Sequence, residues 1–505
     1  MIVKKRNNLN NYILYKYKMN ALTDYSINDK DMAMEVRSDT LEPISSSSKR
    51  FVFRLDQAGY LDQNSVLLFK IVNKANNLAK RVNCFNGGLG AIKRATFAVG
   101  DFVINDTDGA DKIMTLLNFV GKNSQLRNNF DCWYYQNQLH YKVMPGGVGG
   151  QNAKLHDTDL CGSGSIVIDP DKSGMGGDID FQNGVANALA ADINSVPISS
   201  DADNNAQIGI PLGVLFPALK GRTLPLFLFQ DYRILITIEF NDGDKYINGT
   251  NVNDGKCPIN QINYSDVKLQ VDYIIMPSEV QNKDREMTAQ QGGLNLTFYD
   301  SIKVEKNIPA VTANTTQVVE HRIGADNKEV HKIYMTKMLT DDNTGVGAKY
   351  ATYWGEQRID AMNQEEYNVN IAGVDLFPEN KWSPSSQYDE TSNCLGSDIQ
   401  VPRPVYYADE NTAYNCLGSS VNGTLGRYKP LCVDLTNGSD GILGTGRTIG
   451  AYPIIFKYAR KPTGAQAGQY ITSKAGALEV DYHLLVSKTA NIKSTGNGTS
   501  VMVSY

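Results

Sequence analysis

Apolar and polar residues alternate along much of this chain, most clearly in "TLPLFLFQDYRILITIEF" at positions 223–240. In its second half, one side of a two-residue repeat is apolar and holds Tyr232, Ile234, Ile236, Ile238 and Phe240. This alternation is typical of a half-buried β-strand. The first half, "LPLFLF", predicts a shorter strand that Pro225 can only begin, because proline has no N–H for the strand ladder. Asp231 and Arg233 lie centrally, where charge is costly in a bilayer, so the stretch predicts two strands and not a membrane span.

Other segments show similar strand patterns. "RFVFRL" and "SVLLFKIV" each predict a strand, and "AIKRATFAVGDFVIND" predicts two around Gly100. One helix is predicted, capped by Thr107 or Asp108, and its apolar positions are Ile113, Leu116, Leu117 and Val120. Segments 144–205 and 340–445 have little periodicity and predict long surface loops.

Two distant segments echo each other. "VKLQVDYIIMP" at 267–277 and "GALEVDYHLLV" at 476–486 share an L-x-V-D-Y core. Each is preceded by another predicted strand, "RILITIEF" in the first case and "AYPIIFKYA" in the second. Strands "LTFYDSIKVEKNIP" and "TQVVEHRI" open the second block. The parallel order of elements favours two similar all-β domains in tandem.

Many short strands without regular strand–helix alternation indicate sandwiches or barrels, and the block lengths suit eight-stranded jelly rolls with large loops. We therefore predict an all-β fold of two tandem jelly rolls with a few short helices. The predicted divisions are an N-terminal arm at 1–48, a first roll at 49–280, a polar connector at 281–293 and a second roll at 294–505.

Composition narrows the functional classes. The 505 residues are 41% hydrophobic and 20% charged, with a formal net charge of −5, which describes a globular protein without a global attraction to nucleic acid. The seven cysteines form no C-x-x-C pair, so free thiols in a reducing compartment are the simplest interpretation. The N-terminus lacks the apolar core of a signal peptide, and an intracellular origin is expected.

The series "IGIPLGVLFPAL", "LPLFLFQDYRILITIEF" and "VKLQVDYIIMPSEVQNKDRE" resembles the end of the first jelly roll in double jelly-roll major capsid proteins. That family occurs in large eukaryotic DNA viruses, virophages and polinton-like viruses. The resemblance spans about residues 40–505 and is strongest at 207–287. It lies in strand order and apolar positions, and the chain length is similar to the smaller, virophage-like or polinton-like members.

The resemblance implies a structural virion protein. Three copies with two rolls each would form a pseudo-hexagonal capsomer that tiles an icosahedral shell, with the long loops on the outside. The implied partners are the chain itself, neighbouring capsomers, and penton and minor capsid proteins. The implied location is the virion capsid, made and assembled inside the host cell.

One candidate metal site is "DPDKSGMGGDID", in which Asp169, Asp171, Ser173 and Asp180 have the spacing of calcium ligands and Gly174 lies at the turn. Gly176 replaces the usual apolar residue, and "SIVI" before the loop predicts a strand where a helix is usual. A flexible acidic surface loop is therefore the alternative, and no other cofactor is predicted.

The N-terminal arm is basic, with Lys4, Lys5, Arg6, Lys16 and Lys18 interleaved with tyrosines. In the capsid interpretation, packaged DNA, an internal membrane or a minor protein could contact it. A solvated tail or an inter-subunit clamp is the alternative, and Met19 could be the true start.

Sequence motifs for catalysis are absent. No phosphate-binding loop or G-x-S-x-G elbow occurs, and the five histidines show no ligand spacing. His483 falls on the outward side of its predicted strand, so an exposed or interface histidine is expected. We predict a non-enzyme. The rival is a soluble all-β carbohydrate-binding or carbohydrate-active protein, and a vertex or spike component of a virion is a third possibility.

Overall fold

The structure is a computed structural model of the 505-residue chain. It describes residues 35–73, 80–83, 87–115, 117, 195–197, 207–229, 232–242, 247–249, 262–324, 327–339, 365–381, 390, 394, 431–436, 447–449, 453–462, 476–495 and 498–504. None of the helices described in these ranges has the length and apolar character that a membrane crossing requires.

The strands described up to residue 275 are β1 (Glu35–Leu41), β2 (Ser45–Ser46), β3 (Arg50–Leu55), β4 (Tyr60–Leu61), β5 (Val66–Asn73), β6 (Lys80–Asn83), β7 (Ile92–Val99), β8 (Phe102–Asp108), β9 (Ser195–Pro197), β10 (Ile208–Pro211), β11 (Leu224–Pro225), β12 (Ile234–Phe240), β13 (Ile247–Gly249) and β14 (Ile262–Ile275). The helices among them are α1 (Ala110–Thr115), α2 (Leu212–Leu215) and three 3₁₀ turns, Gly87–Ala91, Pro217–Leu219 and Leu226–Phe229.

Helix α3 (Ser278–Gln290) follows β14 and leads into the second set of strands. This set consists of β15 (Leu294–Ile308), β16 (Gln317–Ile323), β17 (Lys328–Leu339), β18 (Glu365–Ile371), β19 (Val374–Asp375), β20 (Leu431–Asp434), β21 (Arg447–Ile449), β22 (Ile454–Arg460), β23 (Leu478–Thr495) and β24 (Gly498–Ser504).

The two sets of strands have the same topology. In the first set, one sheet has the order β1-β14-β5-β10 and the other the order β3-β12-β7-β8. In the second set, the corresponding sheets are β15-β23-β17-β20 and β16-β22-β18-β19. If the eight main strands of each set are numbered along the chain, both sets read 1-8-3-6 and 2-7-4-5, with antiparallel neighbours throughout. We call these two units the first roll (β1 to β14) and the second roll (β15 to β24).

Smaller strands extend these sheets. Strands β4 and β11 continue the first sheet beside β14, β2 pairs with β3, and β6, β9 and β13 form a separate three-stranded sheet. In the second roll, β21 pairs with β17 and β24 pairs with β23. The predicted all-β architecture is therefore confirmed.

Alternation predicted the central strands correctly. Strand β12 buries every second residue from Ile234 to Phe240, and β3 buries Phe51, Phe53 and Leu55. The echo is confirmed as well, because β14 and β23 are the eighth strands of the two rolls, and β12 and β22 are the seventh.

The prediction for "LPLFLF" was wrong. Only Leu224 and Pro225 form a strand, and Leu226–Phe229 is a 3₁₀ turn whose four side chains are all buried. The N–H of Leu226 donates to the carbonyl of Gly59 at 2.9 Å. Because every side chain of the turn is enclosed, its apolar sequence does not distinguish a strand from a tight helix.

The predicted arm at 1–48 contains a strand of the first sheet. Strand β1 pairs with β14 from Glu35 opposite Ile275 to Leu41 opposite Leu269. None of its residues is fully buried, so its sequence lacks the apolar alternation that identifies a strand. Backbone pairing at the sheet edge, and not burial, fixes its conformation.

The predicted helix is described only over Ala110–Thr115 and residue 117. The Asp108 carboxylate accepts a hydrogen bond from the N–H of Gly109, directly before the helix. The Thr107 hydroxyl instead donates to the carbonyl of Leu215. Leu116 and Val120 lie outside the described residues.

Candidate functional site: the seam between the two rolls

The predicted calcium ligands Asp169, Asp171, Ser173 and Asp180 lie outside the described residues, as do the basic residues of the arm. Within the described part of the chain, no group of three or more His, Cys, Asp or Glu residues is arranged to hold a metal ion. The calcium loop therefore stays a prediction.

Among the described residues, buried charged side chains, including Asp300, Asp481 and Lys488, lie between the two rolls. Here β8, α1 and the 3₁₀ turns at 217–219 and 226–229 contact β15, β23 and β24. We call this contact the inter-roll seam. Phe298, Ile492 and Val501 of the second roll belong to the hydrophobic cluster of the first roll. The two rolls therefore share apolar packing in addition to their connecting helix.

One polar group in the seam centres on Asp300 of β15. Its Oδ1 accepts from Asn105 Nδ2 of the first roll at 2.8 Å, and its Oδ2 accepts from Lys488 Nζ at 2.9 Å. The Asn105 Oδ1 atom accepts from the N–H of Ala218 at 3.0 Å. Burial raises the pKa of Asp300, and Lys488 offsets part of that rise. A buried carboxylate is thus tied to both rolls by directional hydrogen bonds.

A second polar group centres on Asp481 of β23, whose side chain is fully buried. Lys112 Nζ of α1 pairs with Asp481 Oδ2, and Lys303 Nζ lies 3.7 Å from the same oxygen. Burial would raise the pKa of Asp481, but the two lysines outweigh it and hold this pKa below its usual value. The first roll therefore supplies a cation to a buried anion of the second roll.

His483 lies next to this ion pair and is fully buried. Its pKa is lowered to about 3, chiefly by burial; Asp481 opposes this shift, whereas Lys112 and Lys303 contribute to it. Neither ring nitrogen has a hydrogen-bond partner in the described structure. The expected exposed or interface histidine is therefore an interface residue, but the interface lies within one chain. The first roll covers the outward side of β23, which a strand pattern alone leaves open.

Further hydrogen bonds connect the ends of the two rolls. The Thr499 hydroxyl of β24 donates to the carbonyl of Leu228 at 2.7 Å, and Arg222 Nη2 donates to the carbonyl of Thr297 at 2.7 Å. In α3, Asp284 is buried and accepts from the Tyr60 hydroxyl. The connecting helix α3 is therefore anchored to the first roll. The C-terminal strand β24 also contacts the first roll, from the other side of the seam.

No protein-family model and no curated protein matches the sequence. Among solved structures, PBCV-1 VP54, fitted into a cryo-EM reconstruction of the virophage Sputnik, has a TM-score of 0.54 at 8% identity and covers 94% of this chain and 98% of that chain. The quasi-atomic PBCV-1 virus capsid has a TM-score of 0.52 at 9% identity, with coverage of 94% and 98%. The Sputnik virophage structure has a TM-score of 0.52 at 12% identity, with coverage of 93% and 88%.

The chain has the double jelly-roll fold. The similarity covers most of each chain, so it includes both rolls. At such low identity it concerns the fold alone. The seam is the part of this double jelly roll in which individual side chains hold the two barrels in one arrangement.

Gly109 allows a close approach across the seam. Its φ is +67°, and a Cβ at this position would lie 2.8 Å from His483 Cε1. We expect Gly109→Ala to lower the free energy of unfolding by about 3 kcal/mol, from left-handed backbone strain plus the steric overlap. Urea denaturation measures this loss.

The matched control is Gly221→Ala. Gly221 has φ +70°, and a Cβ there would meet nothing within 4 Å. Backbone strain alone predicts a loss of about 1 kcal/mol. Equal losses for the two variants would show that the contact between Gly109 and His483 contributes nothing.

Sequence reasoning missed the polar and charged residues of the seam. Asn105, Lys112, Asp300 and Lys488 come from four separate segments, and no local spacing connects them. The one available signal was Asp481 in "LEVDYHLLV", a charge on the second face of a strand that is apolar on its first face. A buried partner for that charge could have been suspected but not identified.

Proposed function

We propose that this protein is a major capsid protein of a DNA virus, a structural component and not an enzyme. In this proposal three copies associate into a homotrimeric, pseudo-hexagonal capsomer, and capsomers tile an icosahedral shell. The main observation behind this proposal is that two rolls with the same strand order are joined by a buried seam. Such a chain would present two similar footprints, and three copies would present six.

The structural similarities support this proposal. The solved structures of the same fold come from the PBCV-1 capsid and the virophage Sputnik. A carbohydrate-binding or carbohydrate-active protein, the rival interpretation, has no such support from the described residues.

The exposed apolar residues also support self-association. Every large hydrophobic side chain exposed in the described structure lies on or next to an edge strand of its sheet: Val36, Ile44, Phe102, Val103, Tyr299, Val318, Val374 and Met502. Val318 and Val374 are 67% and 70% exposed, on the two opposite edges of one sheet. Edges are where a neighbouring copy would make contact, and obligate interfaces typically bury about 2,000 Å² or more.

The remaining partners belong to the same proposal. Penton and minor capsid proteins would contact the capsomers, and the basic arm would face packaged DNA or an internal membrane. The virion capsid would be the location, after assembly inside the host cell. The division into an arm, a first roll at 49–280, a connector at 281–293 and a second roll at 294–505 is also proposed, with β1 added to the first roll.

Expression of the full chain alone tests the proposal. We expect native mass spectrometry to give three times 55.6 kDa, about 167 kDa, or larger particles, and electron microscopy to show a six-lobed outline. A strict monomer at every concentration, with affinity for glycans, would overturn the capsid assignment and favour the rival.

Edge variants sharpen this test. Val318→Lys and Val374→Lys should leave the thermal unfolding of the monomer unchanged, because both side chains are mostly exposed. A variant that lies in the trimer contact should weaken association. Unchanged trimers for both variants, and for Val36→Lys and Met502→Lys, would exclude these edges as the contact.

A further inference from the structure

Two buried thiols meet in the second roll. Cys394 is 2% exposed and Cys432 is 0% exposed, and both are free. Cys432 pairs with Tyr334 of β17, whose hydroxyl lies 3.5 Å from the carbonyl of Cys394, and this arrangement brings the two thiols together. A single buried cysteine usually serves as a small apolar residue, so burial alone indicates no chemistry. The informative feature is that two thiols from distant parts of the chain are in direct contact.

A second contact holds the same two segments in register. The N–H of Asp434 in β20 donates to Glu390 Oε1 at 2.8 Å. Cys432 and Asp434 lie two positions apart on a strand, a span of about 6.6 Å. Glu390 therefore contacts β20 two positions from Cys432.

The backbone on both sides of the thiols is also held. Lys332 Nζ donates to the carbonyl of Cys394, and the Tyr334 hydroxyl lies 3.5 Å from the same oxygen. The Tyr367 hydroxyl donates to the carbonyl of Cys432 at 3.2 Å. These contacts come from β17 and β18, which belong to different sheets of the roll. The two cysteines are therefore fixed relative to each other before any bond forms.

We propose that Cys394 and Cys432 are a redox-sensitive pair that forms a disulfide when the protein moves from a thiol-reducing to an oxidising environment. The bond would tie the chain between them, residues 395–431, covalently to β20. It goes beyond the capsid proposal, since it concerns the chemical state of one cysteine pair and not assembly. Reducing compartments keep such thiols free, whereas oxidising ones favour the disulfide.

The reaction is a thiol–disulfide exchange with a low-molecular-weight disulfide such as oxidised glutathione. One cysteine thiolate attacks the reagent, forms a mixed disulfide and releases one glutathione thiol. The second thiolate then attacks the mixed disulfide, forms the Cys394–Cys432 bond and releases the second glutathione. The protein loses two protons and two electrons, and the reagent gains both to become two thiols.

Burial sets the rate of this reaction. Burial and the contact with Cys432 raise the pKa of the Cys394 thiol well above its usual value, so its thiolate is scarce at neutral pH. The exchange should be slow in the native protein and faster at alkaline pH. The bond, once formed, is shielded from external thiols by the same burial.

Mass spectrometry of the full-length protein tests the proposal. Protein purified with reductant is incubated with oxidised glutathione at about pH 8.5, near the usual thiol pKa, and also at a temperature just below its Tm. It is then quenched with acid, alkylated under denaturing conditions and digested. We expect one cross-linked peptide pair containing Cys394 and Cys432, lighter by two hydrogen atoms, and a Tm raised by several degrees. Dithiothreitol should reverse both changes.

Cys394→Ser and Cys432→Ser are the matched controls. In each, the remaining cysteine should appear alkylated or glutathionylated, and the oxidant should no longer raise the Tm. Complete alkylation of both cysteines in the wild type under both conditions would overturn the proposal. So would a cross-link from either one to a different cysteine. The wild-type peptide map decides this even where a serine variant fails to fold, and trimer formation under reductant is a separate readout of the capsid proposal.

Discussion

Asp481→Asn should lower the free energy of unfolding by about 3 to 5 kcal/mol, the usual cost of leaving a buried charge without its partner. Asp481 is the anion that Lys112 of the first roll and Lys303 of the second roll share inside the seam. Asparagine keeps the size of the side chain but removes the negative charge. Lys112 and Lys303 would then keep only the more exposed carboxylates of Glu479 and Glu305 as partners, and the two ammonium groups would lie close together with little solvent to screen them. Denaturant titration at neutral pH measures the loss.

Asp375→Asn is the matched control, because it makes the same chemical change in an exposed pair. Asp375 Oδ1 lies 2.8 Å from Lys457 Nζ, and both side chains are at least one-third exposed. Solvent screening makes such a pair contribute little, so a far smaller loss is expected. Similar losses for the two variants would contradict the seam's role in holding the rolls together.

Acid should destabilise the protein through His483, and His483→Leu should remove that part of the pH dependence. The folded state holds this imidazole neutral down to a pKa of about 3, whereas an unfolded chain protonates it below about pH 6.5. Between these values the unfolded state binds one more proton, so stability falls as pH falls. At about 1.4 kcal/mol for each pH unit, the loss over about 3.5 units is on the order of 5 kcal/mol.

The difference in unfolding free energy between the wild type and His483→Leu isolates the contribution of His483. Burial also lowers the pKa of His321 and His331, and raises that of Asp300, but these groups are present in both proteins and cancel in the difference. Denaturant titrations from neutral to acidic pH should show the wild type losing stability relative to His483→Leu. Parallel curves across this range would mean that His483 is not held neutral in the seam.

The sequence by itself determined the strands that bury one face in the core of their own roll. Strands β3, β12 and β14 follow the two-residue repeat, because each lies between the core of its roll on one side and a more polar environment on the other. The echo between β14 and β23 also determined the duplication, since equivalent strands of two similar barrels require similar apolar positions. The fold class and the order of the strands along the chain follow from such local periodicity.

Only the tertiary structure decided what covers the second face of a strand. Strand β1 has no buried residue, so its sequence contains no apolar alternation that would indicate its pairing with β14. The turn at Leu226–Phe229 is buried on all sides, so its pattern did not identify its conformation. Lys112 and Asp481 are 369 positions apart. Periodicity indicates which side of a strand faces the core of its own roll. A contact between two completed rolls depends instead on how the rolls dock, and no spacing along the chain encodes this docking.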